Sequence, residues 1–158
     1  MLYAQKAKDQ IVKSTDFSNE DIVKNIDPTI EFLTVGNSVQ HQDICSLPYI
    51  EDEDTLAALY SSVDLVAIPS RIDNLPNIGL ESLFCGTRIV GFDVGGLSDI
   101  VFHESLGALA EFDNCEEFAR LIVNMVNEKS SREEVSNALA DMKKQGLKRL
   151  IFDLRDNA

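Results

Sequence analysis

Two stretches of the 158-residue chain combine residue types suited to chemistry on a phosphate-bearing ligand. The first reads Ser70-Arg71-Ile72-Asp73-Asn74-Leu75-Pro76-Asn77-Ile78-Gly79-Leu80-Glu81. Pro76 is placed to start a helix, with Asn77 beside it, so the free N–H groups of the first turn would face a ligand. The second reads Val94-Gly95-Gly96-Leu97-Ser98-Asp99, where two glycines at a helix start let backbone approach closely. Amides at both places would hold phosphate, and the Asp73 and Glu81 carboxylates would accept hydrogen bonds from sugar hydroxyls. Taken alone, Asp73 also fits a solvated loop acid, Glu81 a capping or helix-surface acid, and the glycine pair plain turn geometry. Arg71 suits either a phosphate contact or simple relief of the local acidity.

The elements that must carry these residues alternate between strand-like and helix-like patterns. Thr29 to Val35 is rich in β-branched and aromatic residues and stops at Gly36-Asn37, as a strand ending in a turn does. Ile44 to Ile50 is a second, poorer strand, and Thr55 opens a helical run behind the acids 51 to 54, which suit the positive end of the helix dipole. Asp64 to Pro69 is a nearly continuous apolar run of the kind buried on both faces of a parallel sheet. Asn77 to Cys85 has helical spacing and stops at Gly86. Arg88 to Phe92 is the next strand, a short helix starts near Ser98, and Gly107 to Leu109 is a short strand. Residues 115 to 128 and 132 to 144 are amphipathic helices, and 145 to 158 is a tail or a further helix over 147 to 154. The pattern predicts one α/β domain over 1 to 158, a doubly wound, mostly parallel sheet whose central strands include 30 to 35, 64 to 69 and 88 to 92. Ligands bind such sheets beyond the carboxyl ends of the strands, which singles out the loops after Val35, Pro69 and Phe92.

Composition narrows the partners. The net charge is -13, yet residues 1 to 24 are neutral, 25 to 119 carry only Arg71 and Arg88 against 17 acids, and 120 to 158 are slightly basic. Such a field opposes nucleic acid and anionic membranes at the central region. An anion bound there must be gripped by amides and a helix end. No apolar run reaches the roughly 20 residues needed to cross a bilayer, and the opening Met-Leu-Tyr-Ala-Gln-Lys lacks the apolar stretch of a signal peptide. Cys45, Cys85 and Cys115 have no C-x-x-C spacing, so they are expected reduced and buried in a cytoplasmic protein, with Cys85 a core residue and not a nucleophile. His41 and His103 lack partners at ligand spacing and are expected at the surface. The acids 51 to 54, being consecutive, do not converge on a metal.

The stretch from Ile44 to Val101 resembles the C-terminal, donor-binding domain of retaining GT-B glycosyltransferases of the group 1, glycogen-synthase-like family. The residues that carry the likeness are Asp64-Leu65-Val66-Ala67-Ile68-Pro69-Ser70, Asp73 to Gly86, and Asp93-Val94-Gly95-Gly96-Leu97-Ser98-Asp99-Ile100-Val101, and it continues more weakly to about Val126. In that family two acids separated by seven residues mark the donor site, the spacing of Asp73 and Glu81. The resemblance implies that Glu81 binds the ribose hydroxyls of a nucleotide. It places Asp73 and the backbone of Asn74, Leu75, Pro76, Asn77 and Ile78 by the donor sugar and diphosphate, with Gly95 and Gly96 also at the donor. It sets Ser46 to Ile50, including Tyr49 and Ile50, beside the base.

The resemblance therefore implies transfer of a sugar from a UDP-, GDP- or ADP-sugar to an acceptor, in glycan biosynthesis, with no metal or other cofactor. Asp73 is the candidate catalytic residue, without the nucleophilic role of a glycosidase carboxylate, since no partner carboxylate at the required geometry is visible. The chain departs from the family in three respects. Asp73 stands where Glu is usual; residues 1 to 28 show no clear copy of the strand and helix that supply a diphosphate-binding Arg and Lys, leaving Lys6, Lys8 and Lys13 as candidates; and the acceptor-binding N-terminal domain must come from elsewhere, as further sequence or a partner chain. The isolated chain is expected to bind donor with little or no transferase activity. The rival readings are a non-catalytic nucleotide-sugar or regulatory module and half of a GT-B-fold UDP-sugar 2-epimerase.

Overall fold

The computed structural model describes residues 19–36, 44–70, 77–128 and 132–144. In chain order the elements are α1 (Asn19–Ile26), β1 (Phe32–Val35), β2 (Ile44–Leu47), α2 (Glu53–Ser62), β3 (Leu65–Ile68), α3 (Asn77–Phe84), β4 (Arg88–Phe92), α4 (Leu97–Ile100), β5 (Gly107–Ala110), α5 (Cys115–Asn127) and α6 (Arg132–Lys144). Every pairing among the described strands is parallel, with helices on both faces, as the alternating sequence pattern requires.

Residues along each strand point alternately to two apolar layers. Val66, Ile68 and Ile89 pack on one side with Tyr60 of α2, Ile78 and Leu83 of α3, and Val135 of α6. Leu65, Ala67, Val90 and Phe92 pack on the other with Val23 of α1 and Phe118 and Ile122 of α5. The Phe92 and Phe118 rings stack with centroids 4.8 Å apart. Strand β4, with a partner on each edge, is buried at all five residues.

Helix starts follow local chemistry. Asp52 caps α2 by accepting the Thr55 N–H at 2.7 Å and the Thr55 hydroxyl, which holds its carboxyl below the usual range. The acids 51 to 54 are thus a helix start, and among the described residues no three His, Cys, Asp or Glu side chains converge on a metal position. Asn114 caps α5 by accepting the Glu117 N–H at 3.1 Å.

Three differences from the sequence reading have physical causes. Among the described residues strand β1 does not belong to the sheet of β3 and β4; it pairs with β2, and the described strands form a two-stranded and a three-stranded sheet. The cysteines are free but not buried: Cys45 is exposed on β2, which among the described residues pairs with β1 alone, and Cys85 and Cys115 are half-buried at helix ends. Helix α1 carries no signal beyond the short pattern Ile22, Val23, Ile26. It is fixed by burial of Val23 under α5 and by the Asn127 amide donating to Asp27 at 3.2 Å. The expected helix over 147 to 154 lies outside the described residues.

Gly107 joins β5 to β4 at a point where no side chain fits. Its φ is +156°, and a Cβ there would lie 2.0 Å from the Ile89 carbonyl oxygen. Because that oxygen belongs to the buried strand, Gly107→Ala is expected to lower stability by about 3 kcal/mol or more. The readout is a lower urea midpoint with unchanged slope; a variant as stable as the parent would contradict this packing of β5 on β4.

Candidate functional site

The strands begin at one common end. Asp27, just before β1, is bonded to Asn127, while the Arg88 guanidinium at the start of β4 donates to the carbonyls of Met125 and of Glu128, the latter at 3.1 Å. Both anchors lie on the last turn of α5. Since β1 parallels β2 and β4 parallels β3 and β5, the segments after all five strands open at the opposite, carboxyl edge. That edge brings together Gly36, Tyr49 and Ile50, Ser70, the start of α3 at Asn77, and Asp93 to Gly96. Ser70 and Asn77, which flank the loop after Pro69, lie at the same edge as the turn after Phe92, while 71 to 76 themselves lie outside the described residues.

Glu81 sits one turn into α3 and is half-buried. The Tyr60 hydroxyl donates to Glu81 Oε2 at 2.8 Å. Tyr60 is itself buried, and its carbonyl accepts the Thr87 hydroxyl at 2.6 Å, so α2, α3 and the start of β4 are tied around this carboxylate. Burial, then the neighbouring Glu81 charge, push the Tyr60 phenol far above its ordinary 10.0. Glu81 is therefore not the free helix-surface acid that its position taken alone suggests, but a carboxylate oriented by a buried donor. Tyr60 is the site neighbour that sequence reasoning missed, because a tyrosine 21 positions away on another helix carries no local mark.

The other candidates fall as follows. Ile78 is buried and Asn77 half-buried at the start of α3, and Gly79 lies close against the Ile68 and Ile89 side chains, at 3.3 Å from each for a Cβ placed there. Gly95 is exposed with φ +57°, while Gly96 is buried and forms the N-cap of the single-turn helix α4. Tyr49 is 57% exposed and Ile50 half-buried. Asp73, Asn74, Leu75 and Pro76 lie outside the described residues, as do Arg71, His41, Lys6, Lys8 and Lys13. His103 is at the surface, its Nδ1 accepting the Ser105 N–H at 3.1 Å. Cys85 packs beside the core, and burial pushes its thiol up, away from the nucleophilic thiolate.

Arg88 is 7% exposed and spends its guanidinium on α5 at the amino edge, with a further ion pair to Glu128 at 3.5 Å. Arg71 aside, residues 25 to 119 contain no other base, so among the described residues of this segment no cation faces the carboxyl edge.

Parallel strands, helices on both faces and a ligand edge at the strand carboxyl ends define one Rossmann-like half of a GT-B glycosyltransferase fold. Residues 12–128 match the family Glycosyl transferases group 1, and the chain belongs to it. The D-inositol 3-phosphate glycosyltransferase of Pseudarthrobacter chlorophenolicus is 31% identical over 85 residues, which are 54% of this chain and 20% of that protein. An uncharacterized glycosyltransferase of Methanocaldococcus jannaschii is 34% identical over 84 residues, 53% of this chain and 22% of that protein. The chain thus spans about a fifth of the length of these curated relatives. Among solved structures, Anabaena Alr3699/HepE in complex with UDP and glucose superposes with a TM-score of 0.63 at 21% identity, over 79% of this chain and 39% of that one. No described helix is long and apolar enough to cross a membrane.

The Tyr60 to Glu81 bond gives two expected outcomes. Glu81→Ala removes the acceptor of a buried hydroxyl and should cost about 1–3 kcal/mol, whereas Glu81→Gln retains an acceptor and should cost less than half as much. Urea unfolding of both variants measures this. Because the folded phenol has the raised value, its contribution to stability is complete below pH 10.0 and is lost as pH rises above it, where the unfolded chain releases its proton first. The urea midpoint should hold steady below that pH and fall above it, less steeply in Tyr60→Phe.

Proposed function

We propose that this chain is the donor-binding half of a retaining glycosyltransferase, which transfers a sugar from a nucleoside diphosphate sugar to an acceptor without a metal. Glu81 binds the ribose diol, Asp73 and the backbone of Asn74 to Ile78 hold the donor sugar and diphosphate, Tyr49 and Ile50 border the base, and Gly95 and Gly96 leave room for the phosphates. A second domain or partner chain binds the acceptor. Alone, this chain binds donor with little or no transfer, in the cytoplasm.

The observation that carries this reading is the placement of Glu81. With Oε2 held by Tyr60, the remaining lone pairs of the carboxylate can accept two bonds from a vicinal diol. Hydrogen bonds to a charged acceptor contribute about 1.5–3 kcal/mol each. Support also comes from membership of the glycosyl transferases group 1 family and from the fold shared with a protein crystallised with UDP. The commitment of Arg88 to the amino edge favours one rival, a module that keeps the fold and has lost the diphosphate clamp.

Thermal shift against UDP, GDP and ADP and their sugar conjugates tests both. Donor-induced stabilisation grows as RT ln(1 + [L]/Kd) and should shrink in Glu81→Gln at equal ligand concentration. An unchanged shift would remove Glu81 from the site, and no shift with any nucleotide favours the module. Titration calorimetry should give weak binding that strengthens modestly with salt, because screening reduces repulsion from the acidic central region. Low-micromolar or tighter affinity would mean that a base grips the diphosphate.

A further inference from the structure

Helix α3 joins the parallel strands β3 and β4, so it runs from the carboxyl edge of the sheet to the amino edge. Helix α2 ends at the amino edge too, where the Tyr60 carbonyl accepts the Thr87 hydroxyl at 2.6 Å just ahead of β4. Helical side chains lean toward the N-terminus of their helix. Tyr60 and Glu81 therefore both lean toward the carboxyl edge, where the candidate site lies, and they meet with the phenol donating to Glu81 Oε2 at 2.8 Å.

This donor is neutral, buried and fixed. Burial and the Glu81 charge make the phenol hold its proton far above its ordinary range, so Tyr60 orients the carboxylate without cancelling its charge. Among the described residues no Lys or Arg pairs with Glu81, and Tyr60 is the one side chain that donates to it. Tyr60 is 5% exposed and its backbone is tied to Thr87, so its hydroxyl is offered from one position. A bond to Oε2 from that point, with α3 holding the other end of the side chain, sets the plane of the carboxylate.

We infer that Tyr60 is a positioning residue for donor recognition: by fixing the plane of the Glu81 carboxylate, it makes the site select a ribose carrying both hydroxyls over a 2′-deoxyribose. The inference rests on the reading of Glu81 as the ribose-binding acid. A single hydroxyl finds a carboxylate oxygen in many rotamers. Two hydroxyls on adjacent ring carbons are held together only when the acceptor directions are set in advance, as in other bidentate pairs. A carboxylate that must first be ordered weakens that paired contact by the cost of immobilising its side chain. Tyr60 therefore acts on the second hydrogen bond, the one that a 2′-deoxyribose does not make.

The probes are UDP, GDP and ADP, each paired with its 2′-deoxy form, titrated into the whole chain at fixed ionic strength with amide chemical shifts as the readout. With at least one base the parent should bind the ribonucleotide about tenfold or more tighter than its deoxy partner, from the strength of one bond to a charged acceptor. In Tyr60→Phe that ratio should fall to about a third of the parent value or less, while Kd for the deoxy form changes less than about twofold. Glu81→Gln should lower the ratio as well. A parent that binds none of the pairs or binds both members equally, or a ratio unchanged in Glu81→Gln, overturns the donor reading and this inference with it. A preference that persists in Tyr60→Phe, or a Tyr60→Phe variant that weakens both members alike, overturns the inference and leaves Glu81 in the site. Phenylalanine keeps the packing of the ring, so the variant should fold. If it does not, three-bond couplings of the Glu81 side chain in the parent decide: one rotamer in the free chain, kept with ribonucleotide bound, supports the inference, and averaging among rotamers in the free chain overturns it.

Discussion

The burial of β4 is the constraint on which the rest of this structure depends. Its five residues are covered on both faces and paired on both edges, so every backbone group must be satisfied by β3 and β5 in one register. That register aligns the carboxyl ends of the three strands, and with them Ser70, the start of α3 and the turn from Asp93 to Gly96. It also explains why Arg88 enters the structure buried. At the first position of β4 its charge has to be met by the carbonyls at the end of α5 and by Glu128, and these contacts anchor the strand's amino end.

Glu81 shows how such a scaffold prepares a polar group. A carboxylate on a helix packed against a sheet would ordinarily be a surface acid, free to turn. Here Tyr60, immobilised by its own burial and by Thr87, fixes one carboxylate oxygen and leaves the other available. On the proposed donor reading the same bond would serve both folding and recognition, so substitutions that keep an acceptor would separate the two roles and truncations would not.

Electrostatics shape the site as much by what is missing as by what is present. The central segment is strongly acidic, and its described base is committed to the far edge of the sheet. Among the described residues of this segment, an anion at the carboxyl edge would therefore rest on oriented amides, which act only at close range and in the right geometry.

Local pattern was enough to specify most of the elements. The β-branched run before Gly36, the apolar run closed by Pro69, the helix ended by Gly86 and the two amphipathic helices after residue 114 are read from side-chain period and turn residues, which act over a few positions. The spacing of Asp73 and Glu81 is local too, and the family to which the chain belongs was legible as a resemblance carried by the motifs around it. Tertiary structure alone decided that β1 joins β2 instead of β3, that α1 exists under α5, that Cys45 is exposed, and that Tyr60 holds Glu81. These facts depend on which edges and faces meet across 12 to 100 positions of sequence. Periodicity says which face of an element is apolar, but it does not say which neighbour covers it.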